Sequence, residues 1–175
     1  MAEQCERAGV PFVLVGGFAV NFHNVTRNTD DVDFLMTEEN FEKVWPFLNE
    51  AGYCNMKKQY LCARLRRDVE PQGRYPDIDI LFINPETFQM IQKDTQDMDL
   101  GEKKMKVVSL RHLMAMKLHS LKNNPSGREV PDMGDLLGLV QINRVDVHKP
   151  SFKEFCLKYA NEEIYNRLVR LAEHG

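Results

Sequence analysis

Asp31 and Asp33 are the residues of this 175-residue chain whose types and spacing most directly indicate chemistry. They flank Val32. Residues 32–36 (VDFLM) are apolar apart from Asp33 and predict a β-strand. Alternate side chains of a strand point to the same face, so the two carboxylates would lie together. Paired carboxylates favour a hard cation such as Mg²⁺ or Mn²⁺ between them. The pattern therefore predicts a divalent metal site, with a solvated acidic turn as the alternative.

A glycine pair, Gly16-Gly17, precedes these aspartates. The apolar run 11–15 before it predicts a buried strand, and residues 18–23 after it predict a short helix. At such a turn backbone N–H groups can approach a phosphate closely, and the start of the helix carries positive potential. A phosphate site beside paired carboxylates is what metal-assisted nucleotidyl transfer requires. A glycine pair alone is often only a turn.

Two segments, residues 13–20 (VLVGGFAV) and 27–35 (RNTDDVDFL), resemble the nucleotidyltransferase superfamily related to DNA polymerase beta. They are most similar to the branch of minimal nucleotidyltransferases and AbiEii-type toxins, whose pattern is G-G-x-A followed by R-x-T-x-D-x-D. His23 lies about where that branch often has a histidine. The resemblance implies that Gly16, Gly17, Arg27 and Thr29 contact the nucleotide. Arg27 could instead support the loop through a carboxylate, and an exposed side chain with neither role is the remaining alternative.

The resemblance also implies a third carboxylate on a later strand. Asp79, directly before an apolar pair, fits that position best, and Asp77 on the same face is the alternative. Asp31, Asp33 and Asp79 would then bind Mg²⁺ or Mn²⁺. Asp79 would also help to take the proton from the incoming hydroxyl.

Lys117 has two interpretations. The branch tends to carry a lysine on one helix and an arginine with a D-x-x-D pattern on the next, which would here be Lys117, Arg128, Asp132 and Asp135. Lys117 falls inside the apolar stripe of the helix predicted over 109–122, and an inward lysine is costly unless it meets an anion. It would contact either the triphosphate of an NTP or the carboxylate of Asp132 or Asp135.

A basic segment, residues 57–74, contains six Lys and Arg residues but only Asp68 and Glu70 as acids. Such a surplus could hold RNA or a nucleotide. A solvated strand face is the commoner explanation of the same composition.

The predicted strands and helices that position these residues indicate an α/β (α+β) class, a mixed sheet flanked by helices. The resemblance implies that this is a nucleotidyltransferase fold. We expect a nucleotidyltransferase core over 1–108 and a helical part over 109–175 packed on it. The alternation over 60–66 and the run 77–83 predict a hairpin, and 105–108 predicts an edge strand. Helices are predicted from the N-cap Thr37, with a kink at Pro46, and from Ser109, Pro131 and the capping box at Ser151, with a loop over 123–127.

Composition narrows the class of protein further. A hydrophobic fraction of 43% and a net charge of -3 fit a folded domain, and no run approaches the roughly 18 apolar residues of a membrane helix. Acidic residues at the N-terminus argue against a secretory signal, so we expect the cytoplasm. The four cysteines form no C-x-x-C pair, which argues against a zinc site.

Together these features predict an enzyme that transfers a nucleoside monophosphate from an NTP to a hydroxyl. The acceptor could be RNA, a protein or a small molecule, and the resemblance suggests a toxin–antitoxin or phage-defence setting with a cognate antitoxin. A non-catalytic nucleotide- or partner-binding module is the main alternative, favoured if the third carboxylate is displaced from the metal pair. A kinase using the same metal site is a weaker one.

Overall fold

The computed structural model describes residues 1–67, 75–100, 103–123 and 125–174. The strands in chain order are β1 (Val13–Val15), β2 (Asp31–Met36), β3 (Asn55–Lys58), β4 (Cys62–Arg66), β5 (Asp77–Phe82), β6 (Gln96–Leu100) and β7 (Lys103–Val107). The helices are α1 (Ala2–Ala8), α2 (Gly16–Phe22), α3 (Glu38–Glu50), α4 (Pro85–Lys93), α5 (Leu110–Asn123), α6 (Pro125–Ile142), α7 (Pro150–Tyr159) and α8 (Glu162–His174).

The chain divides into two compact units. Unit 1 comprises Met1–Ala19 and Asn28–Ser109, and unit 2 comprises Val20–Arg27 and Leu110–Gly175. The sequence predicts a division after residue 108, whereas in the structure the segment Val20–Arg27 also groups with the C-terminal helices.

Unit 1 contains a mixed sheet in the order β3-β4-β5-β2-β1-β7-β6, which confirms the predicted α/β class. β2 pairs with β5 in parallel, and β1 pairs with β7 in parallel. The other neighbouring strands are antiparallel, including the predicted β4–β5 pair. The three side chains of β1 and the last three of β2 are buried, as short apolar runs in a central strand predict.

The position predicted for the last strand was wrong. β7 lies between β1 and β6, so β6 is the edge strand. β6 carries Asp97 and Asp99 on alternate positions opposite lysines of β7, and Asp97 lies 2.7 Å from Lys106 Nζ. Its polar composition gave no apolar signal, and charged residues are typical of a protected sheet edge.

The N-cap predicted for α3 is confirmed. Thr37 Oγ1 accepts a hydrogen bond from the backbone N–H of Asn40 at 3.2 Å, and the buried face of the helix consists of Phe41, Val44 and Leu48. Pro46 lies inside the helix, which continues to its end at Glu50.

Two helix starts in unit 2 differ from the prediction. α6 begins at Pro125 rather than Pro131, so most of the expected loop 123–127 is helical, with Asn124 outside the described residues. α7 begins at Pro150 after the N-cap Lys149, not at the capping box of Ser151. Proline suits the first turn of a helix because its φ is already helical and its missing N–H needs no partner there.

Candidate active site

The three predicted carboxylates lie on two neighbouring strands of unit 1. β2 and β5 pair in register, with Asp33 opposite Asp79 and Asp31 opposite Asp77. Residues opposite each other on neighbouring strands share a face, and so do residues two apart on one strand. All four carboxylates therefore belong to the same face of the sheet, which we call the acidic face.

Gly16 brings the turn between β1 and α2 directly against this face. Its φ is +63°, a left-handed conformation that favours glycine, and a Cβ built there would overlap the carboxylate of Asp33. A side chain at position 16 would therefore displace Asp33. This close approach requires a glycine whether or not phosphate also binds there.

Gly17 makes room for Thr29 in the same way. A Cβ at position 17 would lie 2.6 Å from Thr29 Oγ1. The Thr29 hydroxyl lies 3.0 Å from Asp31 Oδ1, to which it donates, and 3.2 Å from the Asp31 carbonyl. Two glycines and a threonine thus fix the positions of the two β2 carboxylates.

Asp79 is bound by an arginine that the sequence analysis did not assign to the site. Arg64 on β4 lies opposite Asp79, and its Nε donates to Asp79 Oδ1 at 2.7 Å while Nη2 donates to Oδ2. This bidentate hydrogen bonding, with the charge of Asp79, raises the pKa of the Arg64 guanidinium. Arg66 binds Asp77 in a similar way, with Nε 2.8 Å from Oδ2.

The fit of a divalent metal to these residues is partial. Carboxylate oxygens are the ligands that Mg²⁺ and Mn²⁺ prefer, and Asp31 with Asp33 supplies them on one face. Both oxygens of Asp79, however, are hydrogen-bonded to Arg64. Within the described residues, no group of three or more His, Cys, Asp or Glu side chains is placed to hold a metal ion. The β2 pair fits a hard cation, while Asp79, predicted as the third ligand, is hydrogen-bonded to Arg64 instead.

Three residues of the basic segment, Lys58, Arg64 and Arg66, pair with acidic neighbours in unit 1. Besides the two arginine pairs, Lys58 Nζ lies 2.9 Å from Glu38 and also pairs with Glu42. The Arg67 guanidinium lies over the ring of Tyr75, 4.0 Å from its centroid. Residues 68–74, including Asp68, Glu70 and Arg74, lie outside the described residues. These pairs explain much of the local surplus of positive charge.

In unit 2, Lys117 is buried, as its place in the apolar stripe predicted. Its exposed fraction is 7%, and its Nζ lies 2.7 Å from Asp132 Oδ1 and 2.7 Å from Asp135 Oδ2. The pairing with the D-x-x-D carboxylates is the second of the two interpretations given above. The side chain of Arg128 lies outside the description.

Arg27 joins the same network. Its Nη1 lies 2.7 Å from Asp135 Oδ2, and its backbone is held by the side chain of Asn21 through bonds of 2.8 and 3.0 Å. The segment Val20–Arg27 is thereby tied to α6. Contact of Arg27 or Lys117 with a nucleotide stays a prediction.

The family of this chain identifies it as a nucleotidyltransferase, and the fold and the acidic face next to a glycine turn agree with that class. The chain belongs to the aminoglycoside-2''-adenylyltransferase family, whose sequence profile matches residues 1–120. This confirms the superfamily resemblance and the expectation of an enzyme, but it does not support the AbiEii-type branch in particular. Among curated protein sequences, none matches the chain significantly.

Three solved structures show the same fold. The antibiotic-resistance factor ANT(2'')-Ia, in a solution structure, has 12% identity and a TM-score of 0.61, over 99% of this chain and 94% of its own. A nucleotidyltransferase-like protein from Paracoccidioides brasiliensis has 14% identity and a TM-score of 0.57, over 99% and 84%. The lincosamide antibiotic adenylyltransferase LnuA, bound to lincomycin, has 18% identity and a TM-score of 0.53, over 78% and 90%.

No helix in the part of the chain that the structure describes is both long and apolar enough to cross a membrane.

Proposed function

We propose that this enzyme transfers the adenylyl group of ATP to a hydroxyl of a small molecule of the aminoglycoside class, with a divalent metal at the acidic face. The observation that carries the proposal is the in-register pairing of Asp33 with Asp79, beside Asp31 and against Gly16. The family of the chain supports the choice of adenylyl group and acceptor.

The carboxylates have two parts in the proposed reaction. Asp31, Asp33 and Asp79 would hold Mg²⁺ or Mn²⁺, which would supply charge stabilisation to the triphosphate. Asp79 takes the proton of the acceptor hydroxyl. The acceptor oxygen bonds to the α-phosphorus as the bond to the bridging oxygen of the β-phosphate breaks, and pyrophosphate leaves. Gly16 and Gly17 allow the backbone to approach the triphosphate.

A small-molecule acceptor is preferred to RNA or protein because of the relatives. One structure of ANT(2'')-Ia contains adenylyl-2''-tobramycin, and the LnuA structure contains lincomycin. The basic segment, which could have held RNA, is engaged with acidic side chains of the same chain. A toxin–antitoxin setting with a cognate antitoxin has no support from these relatives. The use of ATP leads us to propose the cytoplasm as the compartment.

One observation favours the alternative of a non-catalytic nucleotide-binding module. Asp79 is not displaced from the β2 pair, since it lies opposite Asp33, but Arg64 occupies both of its oxygens with hydrogen bonds that a metal ligand would have to give up. The two functions differ in a direct assay, because only the enzyme releases pyrophosphate.

The test is to incubate the full chain with labelled ATP, Mg²⁺ and, in parallel, tobramycin, lincomycin or total cellular RNA. We expect release of pyrophosphate and a gain of one adenylyl group by tobramycin, measured by mass spectrometry. Asp31→Asn and Asp33→Asn should each abolish transfer. Asp30→Asn is the matched control, since it removes the same charge from an exposed residue next to β2, at a position where the motif specifies no residue type.

Nucleotide binding without transfer to any of the three acceptors would support the non-catalytic module. Transfer that persists unchanged in both β2 variants would refute the proposed site. Transfer to RNA alone would refute the proposed acceptor class.

A further inference from the structure

Arg64 places a fixed positive charge on the acidic face. Its guanidinium binds both oxygens of Asp79, and Asp31 and Asp77 add to the negative field around it. A divalent cation at this face would bind the same Asp79 oxygens. The position of Arg64 is set by β4–β5 pairing, which puts it directly opposite Asp79.

We propose that Arg64 is a positioning residue that holds Asp79 and competes with the divalent metal for it, so that Asp79 becomes a metal ligand only when the Arg64 pair opens. This inference rests on the proposed function, because it concerns the same carboxylates. It adds a residue that the family pattern in the sequence did not indicate.

The pair is suited to exchange because its two partners differ in burial. The Arg64 side chain is 47% exposed, so water can take over its hydrogen bonds when it leaves, whereas the Asp79 side chain is only 15% exposed. Because the Asp79 side is mostly buried, we assign the pair the upper end of the range for exposed ion pairs, about 1 kcal/mol. Arginine holds a carboxylate in a fixed planar geometry, which orients Asp79 until the cation arrives.

Arg66 provides a matched comparison. It lies two residues from Arg64 on the same strand and face, has a similar exposed fraction of 54%, and pairs with Asp77. Removing Arg66 therefore removes the same charge from the same face but leaves Asp79 bound. If Asp77 were the third ligand instead, Arg66 would be the competing residue.

The experiment titrates the full chain with Mn²⁺ without nucleotide and follows free Mn²⁺ by electron paramagnetic resonance. We expect Arg64→Gln to bind Mn²⁺ about five-fold more tightly than wild type, the effect of losing a competing pair of about 1 kcal/mol. Arg66→Gln should change the affinity by less than about two-fold. Equal affinity in wild type and Arg64→Gln, including no binding by either, would overturn the inference. An equal gain from Arg66→Gln would also overturn it.

A second pair of variants shows whether Arg64 acts through Asp79. In an Asp79→Asn background, Arg64→Gln should no longer change Mn²⁺ affinity, because residues that act through one contact are not additive. An unchanged gain in that background would count against the proposal. Thermal unfolding of each variant verifies folding. Failure of the proposed function would appear separately, as wild-type protein that transfers no adenylyl group.

Discussion

Substituting Lys117 by methionine should destabilise the protein strongly in the absence of any nucleotide. The substitution keeps most of the side-chain volume but removes the ammonium from Asp132, which is 2% exposed, and from Asp135. Asp135 keeps its contact with Arg27, whereas Asp132 loses its buried counter-charge. Breaking a buried ion pair by removing one partner costs about 3–5 kcal/mol. The free energy of unfolding should fall by an amount in this range.

Urea unfolding followed by circular dichroism, without metal or nucleotide, measures this change. Lys122→Met is the matched control, because it makes the same substitution at an exposed position of the same helix, α5. It should change the free energy of unfolding by no more than about 0.5 kcal/mol. Adding Asp132→Asn to Lys117→Met should restore part of the loss, since the stranded charge is then removed.

The reasoning would be refuted if Lys117→Met were no less stable than Lys122→Met. A normal stability combined with a raised KM for ATP would instead support the phosphate-binding interpretation of Lys117.

Three further predictions concern glycines and thiols. Gly16→Ala should destabilise the protein by clearly more than Gly9→Ala in thermal or urea unfolding, because both have a positive φ but only Gly16 is packed against Asp33; equal losses would contradict the packing argument. In α6, Gly134→Ala should stabilise by up to about 1 kcal/mol, whereas Gly138→Ala should not, because its Cβ would lie 2.7 Å from Val25; equal gains at both positions would contradict this. Burial raises the pKa of the Cys5 and Cys156 thiols to about 12, so a thiol reagent should label exposed Cys54 first. In the unfolded chain the same thiols ionise near 9, so unfolding releases their protons between these two pH values. The free energy of unfolding should therefore fall as pH rises from 9 towards 12.

Local patterns predicted the parts of the site that depend on one strand. Alternation along β2 is a property of any extended chain, so it places Asp31 and Asp33 on one face without knowledge of the fold. The sequence predicts a turn at the glycine pair, but it does not show why both residues must be glycine. That requirement comes from the contacts of Gly16 and Gly17 with the side chains of Asp33 and Thr29, which lie further along the chain. Such contacts depend on how β1 and β2 pair.

Arg64 was missed because its role depends on register. Arg64 and Arg66 alternate along β4 as Asp77 and Asp79 do along β5, and that matched alternation was a usable signal. Which arginine meets which aspartate depends on the connection between the strands, and a shift by one residue would reverse the faces.

The sequence contained start signals of different strength for the helices that were not predicted, α4 and α8, and for the start of α6. α4 begins after the N-cap Asn84 with Pro85 in its first turn, a strong start signal that the sequence analysis did not use. α8 follows Asn161, whose side chain accepts from the N–H of Ile164. The start of α6 was harder, because Asn-Pro-Ser-Gly is turn chemistry unless the residues that follow continue the helix.

Along the sequence, the unit 2 segment Val20–Arg27 lies between the two segments of unit 1, which limits where the chain can be cut into fragments. A truncation after residue 109 would delete Asp135, Gly138 and Asn143, the α6 and post-α6 neighbours of that segment, while leaving the segment itself in place. The remaining stretch would lose the hydrogen bond that Asn143 donates to the His23 carbonyl, and Arg27 would lose its counter-charge. Fragments for expression, domain shuffling or split reporters should therefore keep residues 20–27 and the C-terminal helices in one piece.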